Sequence, residues 1–234
     1  MFQNYYKIVF LPGLGADHRF FKYLLKKLPG SVCVTWITPE PNEHLEHYAE
    51  RLSQQLENTK ETIIVCGVSF GGMIAPYFAK CIKSKICIII STVKYRKQFP
   101  RRYYSLFLLS KIPFLLYMII CITHIFLRIL LSVSAIRGKI NAEIIRQFIS
   151  IKPILLTRLI KMMFKWGYCK KLPEENFDFP IIHVHGEQDL IIPVSLVSPD
   201  ICIKNGGHCL PLSHHQIIYD ILTKEYRNIC PEIF

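Results

Sequence analysis

Residues 62–79, TIIVCGVSFGGMIAPYFA, join a strand pattern, a tight turn and a helix pattern without a break. The apolar, largely β-branched residues 62–66 are typical of a buried strand, and residues 73–79 are typical of a helix. Between them lies Gly67-Val68-Ser69-Phe70-Gly71, whose G-x-S-x-G spacing is typical of a nucleophile elbow. Side chains at positions 67 and 71 would collide in so tight a turn, so glycine is required at both. This context favours Ser69 as a nucleophile over an ordinary glycine-rich turn.

Strand and helix patterns alternate on either side of this stretch. Residues 6–11 and 32–37 have strand patterns, and residues 86–93 form a continuous apolar run of the kind found in parallel strands that are buried on both faces. Amphipathic helical patterns separate them, and Asp17 and Asn42 are predicted to cap the first two helices. The alternation predicts an α/β protein with a doubly wound, mainly parallel sheet.

The alternation stops at residue 94, and only helical patterns follow until the sheet resumes at residues 180–185. We therefore predict a core of residues 1–93 and 173–234 and a helical insertion of residues 94–172, which follows the fourth strand and caps the strand ends where α/β proteins keep their sites. Residues 94–171 hold 16 lysines and arginines and one acid, Glu143. Their net charge of +15 exceeds the +12 of the whole chain and leaves −3 for the rest.

The insertion contains an apolar segment, residues 112–127, without a single Asp, Glu, Lys or Arg. Its 16 residues fall short of the roughly 18 or more that a membrane span requires. Pro113 and His124 weaken that interpretation further. We expect a buried or site-covering cap helix, and peripheral contact of a basic, apolar cap with a membrane is the second interpretation.

Two further loops follow strand patterns near the C-terminus. Asp189 lies on the loop after the strand at 180–185, and His208 follows a short strand at 200–204. Parallel strands bring such loops to one edge of the sheet, so Asp189 and His208 are predicted to lie near Ser69 as orienting acid and general base. The acid could instead be Glu187 or Asp178, and the base His214, His215 or His18. His183 and His185 lie within a strand and are interpreted as structural, and Ser213 is predicted to cap the last helix.

Taken together, these motifs resemble those of the α/β-hydrolase family with a helical cap. The resemblance rests on the glycine loop after the first strand, on Gly67–Gly71, on His185-Gly186-x-x-Asp189 and on Gly206-Gly207-His208, in the order Ser, Asp, His. It implies a sheet of about six strands, because the two strands that precede the first one in the family are missing here. It also implies an oxyanion hole formed by the backbone N–H groups of Leu14 and Phe70, with Pro12-Gly13 where many relatives have His-Gly.

Composition restricts the environment and the partners. The nine cysteines include no C-x-x-C pair, which favours free thiols in a reducing, cytoplasmic compartment over disulfides or structural zinc. The basic insertion does not predict nucleic-acid binding, because its aromatic residues fall in apolar runs and not among its lysines and arginines.

The function that we predict is hydrolysis of an ester or thioester of a hydrophobic, lipid-like acyl substrate, without a metal or organic cofactor. Related sheets also support acyltransferase, lyase and C–C hydrolase chemistry, and these remain open. A non-catalytic lipid-binding protein on the same scaffold is the other alternative.

Overall fold

The computed structural model describes residues 7–56, 64–132, 139–168 and 177–231. Three predicted boundaries lie outside these ranges, namely the first residue of the first strand at 6, the start of the elbow strand at 62 and the end of the insertion at 172.

Six parallel strands form one sheet, as predicted. In spatial order they are β2 (Val32–Cys33), β1 (Ile8–Leu11), β3 (Ile64–Val68), β4 (Ile86–Ile90), β5 (Ile181–Gly186) and β6 (Ile201–Ile203). The chain moves outward from β1 in one direction to β2 and in the other to β3, so the strand order reverses between β1 and β3. Ligand sites of open α/β sheets lie at such a switch point, beyond the carboxyl ends of the strands.

Helices cover both faces of the sheet. They are α1 (Lys22–Lys27), α2 (Leu45–Ser53), α3 (Phe70–Cys81), α4 (Tyr104–Ser110), α5 (Pro113–Ser132), α6 (Lys139–Ser150), α7 (Pro153–Gly167), α8 (Leu210–Ser213) and α9 (His215–Ile229). One apolar core joins the sheet to α2, α3 and α7, and a second joins its other face to α1, α8 and α9. This is the doubly wound arrangement that the alternation predicts.

Two predicted strands end several residues early in the structure. The edge strand β2 ends at Cys33, and soon after it both backbone polar groups of Thr35 bond to the side chain of Gln55 and not to a neighbouring strand. Strand β4 ends at Ile90, since Ser91 has a φ of 48°, which turns the backbone out of the extended conformation.

Two predicted helix caps are wrong. Asn42 does not cap α2, which begins at Leu45, and Asn42 instead has a φ of 58° within the preceding turn. Ser213 does not begin the last helix, because it is the last residue of α8 and its hydroxyl donates to the carbonyl of Cys209. Helix α9 begins two residues later, at His215.

The described part of the insertion contains helices α4–α7 and two short 3₁₀ helices, which turns and loops connect, and no strand. The helix over residues 112–127 is longer than the apolar segment indicated, and it is less buried than expected. Helix α5 has 20 residues and, among the described residues, is the one helix long and apolar enough to span a membrane by length and composition. It is also buried on one side alone, where Leu116, Ile120 and His124 pack, while its other side is exposed.

Candidate active site

Ser69 occupies a sharp turn between β3 and α3 with φ 54° and ψ −118°. L-residues rarely adopt such a conformation, and it persists where surrounding contacts enforce it. Here the N–H of Ser69 donates to the carbonyl of Ile90 at 2.9 Å, and its own carbonyl accepts the hydroxyl of Thr92 at 2.7 Å. Bonds to the end of β4 and the loop after it therefore hold the serine in place.

The two flanking glycines are required by backbone atoms. A Cβ on Gly67 would overlap the carbonyl of Gly71, and a Cβ on Gly71 would overlap the carbonyl oxygens of Leu11 and Pro12. Because these are main-chain atoms, a larger residue cannot be accommodated by a side-chain rotation.

We expect Gly71→Ala to lower the free energy of unfolding by about 3 kcal/mol or more, because two backbone carbonyls must move to admit the methyl group. The matched control is Gly207→Ala, since a Cβ there has no atom within 4 Å. Its unfolding free energy should differ from that of the parent by less than about 0.5 kcal/mol in urea titrations. Equal effects of the two substitutions would contradict the steric argument.

His208 connects Ser69 to Asp189. Its Nε2 lies 3.0 Å from the Ser69 hydroxyl oxygen, and its Nδ1 lies 2.8 Å from Asp189 Oδ2. The three residues follow β3, β5 and β6, so the parallel sheet brings them to one edge. This is the hydrogen-bonded order of nucleophile, base and orienting acid that acyl transfer requires.

Both carboxylate oxygens of Asp189 accept hydrogen bonds. Its Oδ1 accepts the N–H groups of Ile191 and Ile192 at 2.8 and 2.9 Å, while Oδ2 faces His208. Burial by itself raises the pKa of this carboxyl, but the hydrogen bond to His208, the charge of that residue and the backbone donor together hold the pKa below its ordinary value. Asp189 is therefore ionised at neutral pH although it is 3% exposed.

Behind Asp189 lie the two histidines of β5 that the sequence indicated as structural. His185 Nε2 donates to the carbonyl of Ile192 at 2.8 Å and lies 3.3 Å from Asp189 Oδ2, and His183 Nε2 lies 3.2 Å from His185 Nδ1. Burial lowers the pKa of both rings. His185 thus contacts the acid itself, a role that its position four residues before Asp189, at the end of one strand, could have indicated.

We expect the free energy of unfolding to fall as the pH is lowered from about 6.5 to about 4. Burial and the adjacent His185 lower the pKa of His183 to about 4, so the unfolded chain binds a proton over this interval and the folded chain does not. A pKa that is lower in the folded state gives stability that is complete above the unfolded pKa and lost as the pH falls to the folded pKa. The loss from His183 amounts to about 3 kcal/mol at most.

The variant His183→Asn should flatten this part of the pH profile, measured by urea unfolding at successive pH values. His18→Asn replaces an exposed histidine and serves as the control. A slope that His183→Asn leaves unchanged would show that other groups bind the protons.

The loop after β1 lies against Ser69. A Cβ on Gly13 would be 3.5 Å from the Cβ of Ser69, and the indole N–H of Trp36 donates to the Gly13 carbonyl at 3.3 Å. Among the residues that the structure describes, the N–H groups of Leu14 and Phe70 have no hydrogen-bond acceptor. Phe70 is the first residue of α3, where backbone donors are free and the helix dipole is positive. Both donors are thus available to an anion.

Helix α6 of the insertion packs on this loop. Gly15 has a φ of 77°, and a Cβ there would lie 2.5 Å from the ring of Phe148. The fully buried Gln147 accepts the N–H of Asp17 at 3.3 Å, and the Arg19 guanidinium donates to Ser150 at 2.9 Å. The insertion therefore contacts the strand ends next to Ser69.

Comparison with solved structures gives full-length similarities at low sequence identity. A thermophilic esterase from Thermogutta terrifontis has a TM-score of 0.66 at 14% identity, over 95% of this chain and 89% of that one. The N-acyl homoserine lactonase AidH, complexed with N-hexanoyl homoserine, has a TM-score of 0.68 at 14% identity, over 97% of this chain and 90% of that one. The type II thioesterase BorB from the borrelidin biosynthetic cluster has a TM-score of 0.60 at 15% identity, over 94% of this chain and 92% of that one. The chain has the α/β-hydrolase fold.

Sequence comparison adds one match. The model of an uncharacterised protein family, UPF0227, matches residues 15–102, a range that includes β3, Ser69 and β4 of this α/β-hydrolase fold. A comparison with curated proteins finds no significant match.

The alternative acids and bases do not contact Ser69 or His208 in this α/β-hydrolase fold. Glu187 accepts the N–H of Asn205, and Asp178 is exposed. His214 bonds to the hydroxyl of Ser213 and His215 stacks on Tyr23, while His18 is exposed.

Two other features lie apart from Ser69. Among the described residues, Glu40, Glu43 and His47 bring three metal-ligand atoms within 4.8 Å of one another, but Arg51 already donates to both oxygens of Glu43 at 2.9 Å. A cavity of about 540 Å³ lies between residues 39–43, the start of α5 and α7, and none of Ser69, Asp189 and His208 lines it.

Proposed function

We propose that this protein is a serine hydrolase that cleaves an ester or thioester of a hydrophobic acyl group. The single observation that carries the proposal is His208, whose two ring nitrogens lie within 3.0 Å of the Ser69 hydroxyl and of the buried Asp189 carboxylate. The strained backbone of Ser69 and the two unused N–H groups beside it are further features that this chemistry requires.

In the proposed reaction the oxygen of Ser69 attacks the substrate carbonyl while His208 Nε2 takes the hydroxyl proton. Asp189 holds the proton on Nδ1 and stabilises the imidazolium that forms. The N–H groups of Leu14 and Phe70 donate to the developing oxyanion, each worth roughly 3 kcal/mol of transition-state stabilisation. Collapse of the tetrahedral intermediate transfers the proton from His208 to the departing alcohol or thiol. Water, deprotonated by His208, then attacks the acyl-serine and releases the carboxylic acid.

The surroundings of the oxyanion loop favour an apolar acyl group. The side chain of Leu14 packs against a cluster of Leu116, Ile120 and Leu156, which belong to α5 and α7. The alkyl part of an acyl group attached to Ser69 would therefore contact apolar side chains. The similarity to a thioesterase and to a lactonase that holds a hexanoyl group is consistent with this substrate class.

Labelling with a fluorophosphonate probe, followed by peptide mapping, tests the nucleophile without knowledge of the substrate. We expect a single adduct on Ser69. A series of p-nitrophenyl esters and acyl thioesters from two to sixteen carbons then tests the acyl group, and kcat/KM should rise with chain length. A folded protein that the probe does not label, or an adduct elsewhere, would overturn the proposal, and a profile without chain-length dependence would overturn its substrate class.

A further inference from the structure

Helix α5 presents an apolar face that nothing in the described structure covers. Phe114 is 75% exposed and Ile122 is 60% exposed, and the exposed set of large apolar side chains comprises Phe114, Leu115, Met118, Ile119, Ile122, Ile125, Phe126 and Ile129. At 100° per residue, all but the first fall within an arc of about 120°, opposite the buried Leu116, Ile120 and His124. One face of the helix thus packs on the protein and the opposite face is a continuous apolar stripe.

Other elements of the insertion also expose large apolar side chains. Leu106 and Leu108 of α4, Ile112 before α5 and Ile154 of α7 are also exposed. Soluble monomers rarely expose contiguous apolar surface on this scale, and larger patches mark contact with another protein or a membrane.

A groove of about 380 Å³ borders the stripe and contains basic side chains within a mainly apolar lining. Ile125 belongs both to the stripe and to the groove, which also contains Arg128, Lys152 and His124. Arg128 and Lys152 are exposed, and their side chains have no hydrogen-bond or ion-pair partner among the described residues. His124 is 5% exposed, and its Nε2 has no hydrogen-bond partner there either. Unpaired cations and an unused ring nitrogen are the groups that bind a phosphate.

Charge decides between the partners that an apolar stripe could accept. A second copy of this chain would bring a net charge of +15 from residues 94–171 against the same charge, and the two would repel. A bilayer with anionic lipids attracts the same residues. A spanning helix would require the packed side of α5, with Leu116 and Ile120, to leave the protein. A helix that lies in the interface keeps that packing.

We propose that α5 lies in the surface of a bilayer that contains anionic phospholipids, with its exposed face among the acyl chains and a headgroup phosphate in the groove formed by His124, Arg128 and Lys152. The inference goes beyond the proposed hydrolysis and does not rest on it. It places a phospholipid headgroup in the groove and the apolar stripe in the adjacent hydrocarbon of the bilayer.

Co-sedimentation with vesicles tests the proposal. The intact chain should bind vesicles of phosphatidylcholine with one third phosphatidylglycerol at least about tenfold more tightly than phosphatidylcholine alone, and salt at about 0.5 M should remove most of the difference. The variant Ser69→Ala should bind equally well, so a failure of the hydrolase proposal would leave this result unaffected.

Matched variants separate the two parts of the surface. Ile122→Ser should weaken binding about tenfold, whereas Ile217→Ser, an exposed isoleucine of α9, should leave it unchanged. Arg128→Gln with Lys152→Gln should weaken binding about twentyfold. The control pair Lys26→Gln and Lys224→Gln removes two exposed charges from core helices and should change binding less than about threefold.

Several outcomes would overturn the proposal. One is equal binding to neutral and anionic vesicles. Another is a loss of vesicle binding in the control pair equal to that in the groove pair, which would show that binding depends on total charge and not on the groove. Light scattering that shows a dimer which Ile122→Ser dissociates would assign the stripe to a second copy. Vesicle-bound protein that neither high salt nor alkaline carbonate releases would show that α5 spans the membrane.

Discussion

His208→Ala is expected to lower kcat/KM for an activated acyl ester by about 10⁴-fold to 10⁶-fold. The substitution removes the group that lies 3.0 Å from the Ser69 hydroxyl, so the serine keeps its ordinary weak nucleophilicity. Ser69→Ala should reduce kcat/KM to the same level. The double variant should be no worse than either single one, because the residues act as a unit.

The matched control for His208→Ala is His214→Ala. His214 is a near neighbour in sequence, bonds to Ser213 and does not contact Ser69. Its activity should stay within about twofold of the parent, as expected for a residue outside the reacting groups. Loss of activity in His214→Ala with retention in His208→Ala would reassign the base. Circular dichroism and urea unfolding of each variant show whether the loss reflects chemistry or folding.

The second large effect is expected from Asp189→Asn, which should lower kcat by about 10³-fold to 10⁴-fold. The amide keeps an oxygen for the N–H groups of Ile191 and Ile192, so the turn survives. The NH₂ group then faces His208 Nδ1 and favours the tautomer with its proton on Nε2, where it cannot accept the proton of Ser69. It also faces the donating Nε2 of His185, which lies 3.3 Å from the carboxylate, so two donors meet.

Glu187→Gln is the matched control for this substitution. It changes the neighbouring acid of the same turn, whose carboxylate accepts the N–H of Asn205 and does not meet His208. A kcat that falls further in Glu187→Gln than in Asp189→Asn would make Glu187 the orienting acid. The pH dependence of kcat for both variants separates a tautomer effect from a change in ionisation.

The sequence was sufficient to predict the elements that a local pattern determines. Gly67, Ser69 and Gly71 specify a turn by their spacing alone, and the apolar runs on either side specify a buried parallel strand and a helix. The placement of Asp189 and His208 follows from topology, because loops after parallel strands meet at one edge. The structure brings these two side chains to Ser69, and their catalytic roles remain predictions.

Features that depend on tertiary contacts could not be predicted in this way. The length of β2 is set by Gln55, which is twenty residues from Thr35 in sequence and competes for its backbone groups. The contact of His185 with Asp189 depends on the turn that returns Ile192 to the strand end. The exposure of α5 has the same origin, since an apolar run does not reveal which of its faces finds a partner.

The backbone conformation of Ser69 sets the proposed activity against the stability of the fold at one residue. Holding a non-glycine residue at φ 54° and ψ −118° costs on the order of 1–3 kcal/mol, which the contacts with Ile90 and Thr92 must offset. Glycine adopts such angles without that strain, so Ser69→Gly should unfold at a higher urea concentration than Ser69→Ala, although both lack the nucleophile. Selection for thermal tolerance alone would therefore favour glycine at position 69.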